Sequence, residues 1–168
     1  AIAARALQKE ISSKLKVAII DLDVHQGNGT ASILENDPTI FTLSIHGENN
    51  FPFKKEVSDL DLGLADGCDD STYLNALTES LNDLGDRFKT DFVIYLAGAD
   101  PHEDDRLGRL KLSKEGMRLR DEAVLAYALD RKLPLAISMA GGYGKEIGST
   151  VDLHFQTIKT ALQFQKKY

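Results

Sequence analysis

The stretch VAIIDLDVHQGNGT, residues 17–30, decides how the rest of this chain is read. Val17 to Ile20 is a short apolar run of the kind found in a parallel strand covered on both faces. It runs into Asp21, Asp23 and His25 at every second position, and a glycine-rich turn follows. In extended backbone, positions i, i+2 and i+4 share a face, so these three side chains point one way while Leu22 and Val24 point into the opposite layer. Two carboxylates this close repel unless a cation or a shared proton holds them. The histidine adds a nitrogen ligand at the right pitch. The bland alternative is a capped turn with no ligand at all.

Outward from this stretch, apolar runs and helical stripes alternate. Residues 1–15 read as a helix with Ala3, Leu7 and Ile11 on one stripe, and TASILEN as a short helix after the turn. Thr39 to Ile45 is a second strand, and residues 46–70 read as one long loop, a length that in compact domains usually signals function or disorder. Asp70 or Ser71 is expected to cap an amphipathic helix carrying Leu74, Leu77, Leu81, Leu84 and Phe88. DFVIYLAGAD is a third strand, running into a charged loop from Pro101 to Arg109. Ser113 is expected to cap a helix through Met117, Val124 and Ala128 that stops before Pro134. LPLAISMAGGYG is a fourth strand with a glycine exit, and a last helix places Val151, Phe155, Ile158 and Leu162 on one face. This alternation predicts a single α/β domain over residues 1–168, three-layered, with a mostly parallel sheet between helices.

In such sheets the ligand site lies beyond the carboxyl ends of the strands. Three of the four strands end there in DLDVH, GAD and GGYG. If Asp100 reaches the rim beside Asp23 and His25, two carboxylates and an imidazole with open positions suit a catalytic divalent metal better than a closed structural site. A phosphatase of the haloacid-dehalogenase type is the competing reading, with Asp21 as nucleophile and Asp23 as acid/base, but it gives AISMAGGYG no role. A phosphate loop at GNGT is weaker still, since no Gly-Lys-Ser/Thr follows. The net charge of −6 argues against nucleic acid or an anionic membrane as partner. No apolar run reaches membrane-span length, and the single cysteine, Cys68, suits a reducing cytoplasm.

Taken together and in order, DLDVHQGNGT, YLAGADPHEDDRLGRLKLSKEG and AGGYGK resemble the second part of a histone-deacetylase-family catalytic domain. The wider group holds acetoin-utilization proteins and acetylpolyamine amidohydrolases. Gln26, DDRLG and the short GGY run resemble class IV and its bacterial relatives. The resemblance implies the arginase/deacetylase fold, incomplete at its N-terminal side, and a zinc-dependent deacetylase acting on an acyl-lysine or polyamine-type substrate. It implies that Asp23, His25 and Asp100 hold the zinc and that Tyr143 is the catalytic tyrosine. Asp21, Ser44 and the carbonyls of Asp23 and His25 match a structural potassium site, and Asn28 matches the residue that orients the ligating histidine. Phe51 and Pro52 match the substrate tunnel, which Gly141 and Gly142 let a substrate approach closely. One departure stands out. The family's base is a tandem histidine, whereas the histidines here, at 25, 46, 102 and 154, are all isolated. The expectation is therefore a weak or inactive fragment with an apolar sheet edge that self-associates or pairs with a missing N-terminal portion. An arginase-like ureohydrolase and a non-catalytic acyl-lysine or metal-binding module are the alternatives.

Overall fold

A computed structural model describes residues 1–167. Five parallel strands form one sheet: β1 (Val17–Asp21), β2 (Ile40–Gly47), β3 (Leu60–Leu64), β4 (Phe92–Ala97) and β5 (Leu135–Met139), in the order β3-β2-β1-β4-β5. Five helices connect and cover them: α1 (Ile2–Glu10), α2 (Asn28–Leu34), α3 (Asp70–Arg87), α4 (Lys114–Asp130) and α5 (Ile147–Gln165). The α/β fold with helices on both faces is as expected. No described helix is long and apolar enough to cross a membrane.

The strand alternation read in residues 17–25 sorts the two cores. Ala18, Ile20, Leu22 and Val24 join the larger core with Tyr73, Leu77, Leu81 and Leu84 of α3, Met117, Val124 and Ala128 of α4, and Leu153 of α5. Val17 and Ile19 face the other way, against Ala4 of α1 and Leu34 of α2. All five residues of β1 are buried, because the strand is central in the sheet and covered by both helical layers.

Four details differ from the sequence reading. The supposed loop of residues 46–70 contains β3, whose DLGL segment is only partly buried because β3 lies at a sheet edge. α1 ends at Glu10, and it buries Ala4 and Gln8 rather than the stripe of Ala3 and Ile11. Gln8 is buried as a tie, donating to the Leu15 carbonyl and to Thr39 Oγ1. The cap of α3 is Asp69, which accepts from Thr72 N–H at 2.9 Å, while Asp70 turns to accept from the N–H and hydroxyl of Ser113 at 2.8 and 2.5 Å. Ser113 caps α4 as expected, accepting from Gly116 N–H.

The fourth concerns α5, whose apolar residues share one face as read. Its apolar stripe faces outward: Val151, Phe155, Ile158 and Leu162 are exposed, and Leu153 with Thr150, Thr157 and Thr160 makes the buried face. Thr160 buries its hydroxyl by donating to the carbonyl four residues earlier, and Thr157 by donating to the Asp121 carboxylate at 2.6 Å. Beside this stripe β5 pairs, among the described residues, only with β4 and leaves its other edge uncovered by them, and an apolar groove of about 410 Å³ runs between Leu135, Ile137, Ile158 and Leu162.

Candidate active site

The chain moves from β1 outward through β2 and β3, then returns to place β4 on the opposite side of β1. The crevice between β1 and β4 is therefore the switch point, where open α/β sheets bind their ligands. The register sets Asp21 beside Leu96, so the two strands end level and the segments after them, residues 22–25 and 98–100, lie side by side.

Asp23, His25 and Asp100 converge there, each offering one ligand atom, all within 4.8 Å of one another. His25 Nδ1 lies 2.9 Å from Asp23 Oδ1 and 3.3 Å from Asp100 Oδ2. Backbone donors fix the carboxylates: Val24 N–H to Asp100 Oδ1 at 2.8 Å, His25 N–H to Asp23 Oδ1 at 2.9 Å, and Gly141 N–H to Asp23 Oδ2 at 2.7 Å. Among the described residues Asp100 Oδ2 is fully buried and has no well-aligned hydrogen-bond donor, its polar neighbour being His25 Nδ1 at 3.3 Å. A buried carboxylate oxygen left without a donor is costly unless a cation occupies the open direction.

The electrostatics point the same way. The carboxylates of Asp100 and Asp23 beside its ring raise the His25 pKa to about 10, so a proton sits where positive charge is wanted. Burial lifts Asp100 to about 6, with the neighbouring Asp23 charge adding to it. Burial also pushes Asp23 upward, but the donors from His25 and Gly141 outweigh it and hold the group below its ordinary value. Two carboxylates and one imidazole, with one lone pair unused and backbone donors fixing the rest, form a donor set that fits zinc. Glycines make the crowding possible. A Cβ at Gly141 would overlap Asp100 Oδ2 and lie 2.7 Å from Asp23 Oδ2, and one at Gly98 would lie 2.8 Å from Asp23 Cα.

Asp21 lies behind this cluster, buried, with Oδ1 accepting from Asp23 N–H at 3.1 Å. Burial raises its pKa to about 7. Its register partner Ser44 is also buried, with its hydroxyl 3.1 Å from His46 Nδ1 and 3.4 Å from Gly27 N. Asn28 opens α2 but makes no side-chain hydrogen bond to His25; the Nδ1 of that ring faces Asp23 instead. Pro52 is buried and Phe51 is exposed, edge-on to Phe53. Gly142 packs against Ala99 and Thr150, and Tyr143 stands 55% exposed on the loop after β5. His46 and His102 are buried and locally bonded, His102 Nδ1 accepting from Asp104 N–H. His154 lies on α5.

Three residues that organise this rim did not stand out in the sequence. Asp105 accepts from Leu107 and Gly108 N–H through Oδ1 and from Tyr143 N–H through Oδ2 at 2.6 Å, so it fixes the loop that presents Tyr143. Asn50 ties the residue 47–53 turn to the same loop, donating to the Leu107 carbonyl and accepting from Arg109 N–H. Arg120 is buried beneath the cluster. Its signal was available: positions 120 and 121 fall on the buried stripe of α4 set by Met117 and Val124, where charged residues are out of place.

Comparison with known proteins supplies the lineage. Residues 1–158 match the profile of the Histone deacetylase domain. An uncharacterized protein of the cyanobacterium Picosynechococcus is 47% identical over 154 residues, covering 92% of this chain and 51% of that protein. Histone deacetylase 2 of Arabidopsis thaliana is 36% identical over 133 residues, covering 77% of this chain and 34% of its own length. The chain thus spans about half the length of the first relative and a third of the second. Among solved structures, an HDAC homolog from Aquifex aeolicus has a TM-score of 0.79 at 21% identity, covering 95% of this chain and 45% of that one. The acetylpolyamine aminohydrolase of Burkholderia pseudomallei also has a TM-score of 0.79, at 24% identity, covering 95% of this chain and 48% of that one. The fold, the order of its strand-end motifs and the profile match over nearly the whole sequence agree, and the chain belongs to the histone deacetylase family.

Proposed function

We propose that the protein is a zinc-dependent amidohydrolase that removes the acyl group from an acyl-lysine or an acetylated polyamine. The observation that carries this reading is the convergence of Asp23, His25 and Asp100 at the β1/β4 crevice around a buried, unbonded Asp100 Oδ2. These three residues would hold the metal, which when bound supplies Lewis acidity to the amide carbonyl and acidifies water. Two negative ligands and one neutral imidazole leave that centre close to neutral. Tyr143 would donate its hydroxyl to the developing oxyanion, a contribution commonly worth about 3 kcal/mol, and Asp105 fixes the backbone that presents it. Gly141 keeps a side chain off the carboxylates, and Gly142 lets the loop pack closely on Ala99 and Thr150. The likeness to an acetylpolyamine aminohydrolase supports an acyl-amine substrate. Phe51 and Pro52 would form part of the substrate wall, and Asn28 would turn toward the imidazole only on a change from the conformation described.

Behind the cluster, Asp21 and Ser44 would hold a potassium ion, which would relieve the burial of the Asp21 carboxylate. Among the described residues only His25 of the four histidines reaches the cluster, so no second imidazole stands there as general base. A missing general base typically costs about 10²–10⁴-fold in rate. By itself the chain is therefore a weak catalyst, or a module that binds metal and acyl-amine without turnover.

Zinc content of the purified protein tests the reading, with Asp23→Ala and Asp100→Ala as comparisons. About one zinc per chain, lost in both variants, is the expected result. Zinc retained in both would refute the site. Hydrolysis of acetyl-lysine peptides and acetylated polyamines then separates enzyme from binder.

A further inference from the structure

We propose that Arg120 is a positioning residue for the metal site, a guanidinium clamp that locks together the two chain segments carrying Asp23 and Asp100. This rests on the metal-site reading above and goes beyond it to a residue of α4 that touches none of the three ligands.

Arg120 is the largest fully buried side chain described. Its Nη1 donates to the Gly98 carbonyl at 2.6 Å and to the Leu22 carbonyl at 3.3 Å. Gly98 lies two residues before Asp100, and Leu22 one before Asp23. The other edge of the fork, Nε and Nη2, donates to Asp121 Oδ1 at 3.0 and 2.7 Å. Asp121 is itself held from two further elements, by the Tyr95 hydroxyl of β4 and the Thr157 hydroxyl of α5, both at 2.6 Å. The guanidinium therefore has no freedom to turn. Its direction is set by the layer beneath, and it presents that direction to the strand ends.

The need for such a clamp is visible in the ladder. The last backbone rung between the two segments is Leu22 N–H to the Leu96 carbonyl. Beyond it the segments are pressed together at Gly98, where even a Cβ would lie 2.8 Å from Asp23 Cα. The next cross-tie is Val24 N–H to Asp100 Oδ1. Between these two ties, the carbonyls of Leu22 and Gly98 meet at one nitrogen of Arg120, which takes the place of a ladder rung. A lysine cannot do this, because one compact ammonium cannot reach both carbonyls and Asp121 in the fixed geometry of a planar fork. Nor is stability a sufficient reason to keep the group, since buried ion pairs are often replaceable by apolar residues at little cost. The geometry points instead to placement of the two carboxylates.

The test is zinc affinity by chelator competition in the full chain, alongside thermal unfolding of the metal-free protein. Arg120→Lys keeps a charge beside Asp121 and removes the fork. Arg120→Met with Asp121→Asn removes the pair together, so that neither charge is left buried alone. Asp69→Ala is the control: it deletes the cap of α3 and leaves Arg120, Asp121 and all their contacts in place. Residues supporting metal ligands typically cost about 10–100-fold in metal affinity when replaced. That loss is expected for Arg120→Lys and for the double variant, while Asp69→Ala lowers the melting temperature and keeps wild-type affinity. Affinity that falls in all three in step with melting temperature would make Arg120 merely structural and overturn the proposal, as would unfolding of both Arg120 variants. Zinc binding that depends on Asp23 yet is unchanged in Arg120→Lys overturns this inference alone. Wild-type protein without Asp23-dependent zinc overturns the site reading and the inference with it.

Discussion

Replacing Gly141 by alanine adds one methyl group to the most crowded point of the site. Its Cβ would overlap Asp100 Oδ2 and stand 2.7 Å from Asp23 Oδ2, which is 0.7 Å short of the 3.4 Å at which ordinary contact begins. The methyl cannot retreat, because Gly141 is pinned on both sides: its N–H donates to Asp23 Oδ2, and its carbonyl accepts from Ala99 N–H at 2.7 Å. The carboxylates must therefore give way. Asp100 has no room, being fully buried, and its Oδ1 is fixed by Val24 N–H. A metal site accepts ligand displacements of about 0.2 Å, so a shift several times larger costs zinc affinity at least the 10–100-fold typical of lost support, roughly 1.4–2.8 kcal/mol. Gly29→Ala is the matched control, since a Cβ there meets nothing within 4 Å. Zinc affinity by chelator competition should fall in Gly141→Ala and hold in Gly29→Ala, with circular dichroism unchanged in both. An affinity for Gly141→Ala equal to wild type would show that the metal does not use Asp23 and Asp100 together, and would refute the reasoning.

Asp21 should make the metal-free protein sensitive to pH. Its folded pKa of about 7 lies above the ordinary value of 3.8, so the neutral form is preferred on folding. Stability from this group is complete below about pH 4 and is lost as pH rises through 7, a change on the order of 4 kcal/mol. Asp21→Asn should therefore be the more stable protein at pH 8 in a choline buffer but not at pH 4, and potassium should close the gap; an equal difference at both pH values contradicts this. Asp69→Ala, which deletes the α3 cap, should cost about 1 kcal/mol, and Asp70→Ala more, because it also unties Ser113 from α3. A denaturant midpoint left unchanged by Asp69→Ala would contradict this assignment of the cap. The exposed stripe of α5 beside the free edge of β5 predicts self-association of the 168-residue chain, relieved by Phe155→Lys with Leu162→Lys at little change in melting temperature. Sedimentation of the wild-type chain as a monomer at tens of micromolar would dismiss it.

What could be read in advance depended on whether the signal was local. Residues 17–25 announced both a doubly covered strand and the side chains projecting from its end, because alternation needs no knowledge of neighbours. The pairing of Asp100 with that end required one further rule, that sites collect where the strand order reverses, and the β1/β4 register satisfies it. β3 was hidden because an edge strand buries little, so its LDLGL carries no strong apolar pattern and lies among Gly, Asp and Asn. The last helix misled for the opposite reason. Its strongest apolar stripe lies on one face as read, yet that face is the outer one: the helix turns its threonines inward, since α5 packs on α4 and Thr157 there meets the Asp121 carboxylate. Amphipathicity reports that a face wants cover, not which body supplies it. The same distinction explains Arg120. A charge on a buried stripe is anomalous in isolation, and its purpose emerges only when Leu22, Gly98 and Asp121, up to 98 residues away in sequence, are brought to one guanidinium. The proposed metal ligands were legible because they sit in short motifs. The device that holds two motifs at a fixed separation belongs to neither, and only the fold reveals it.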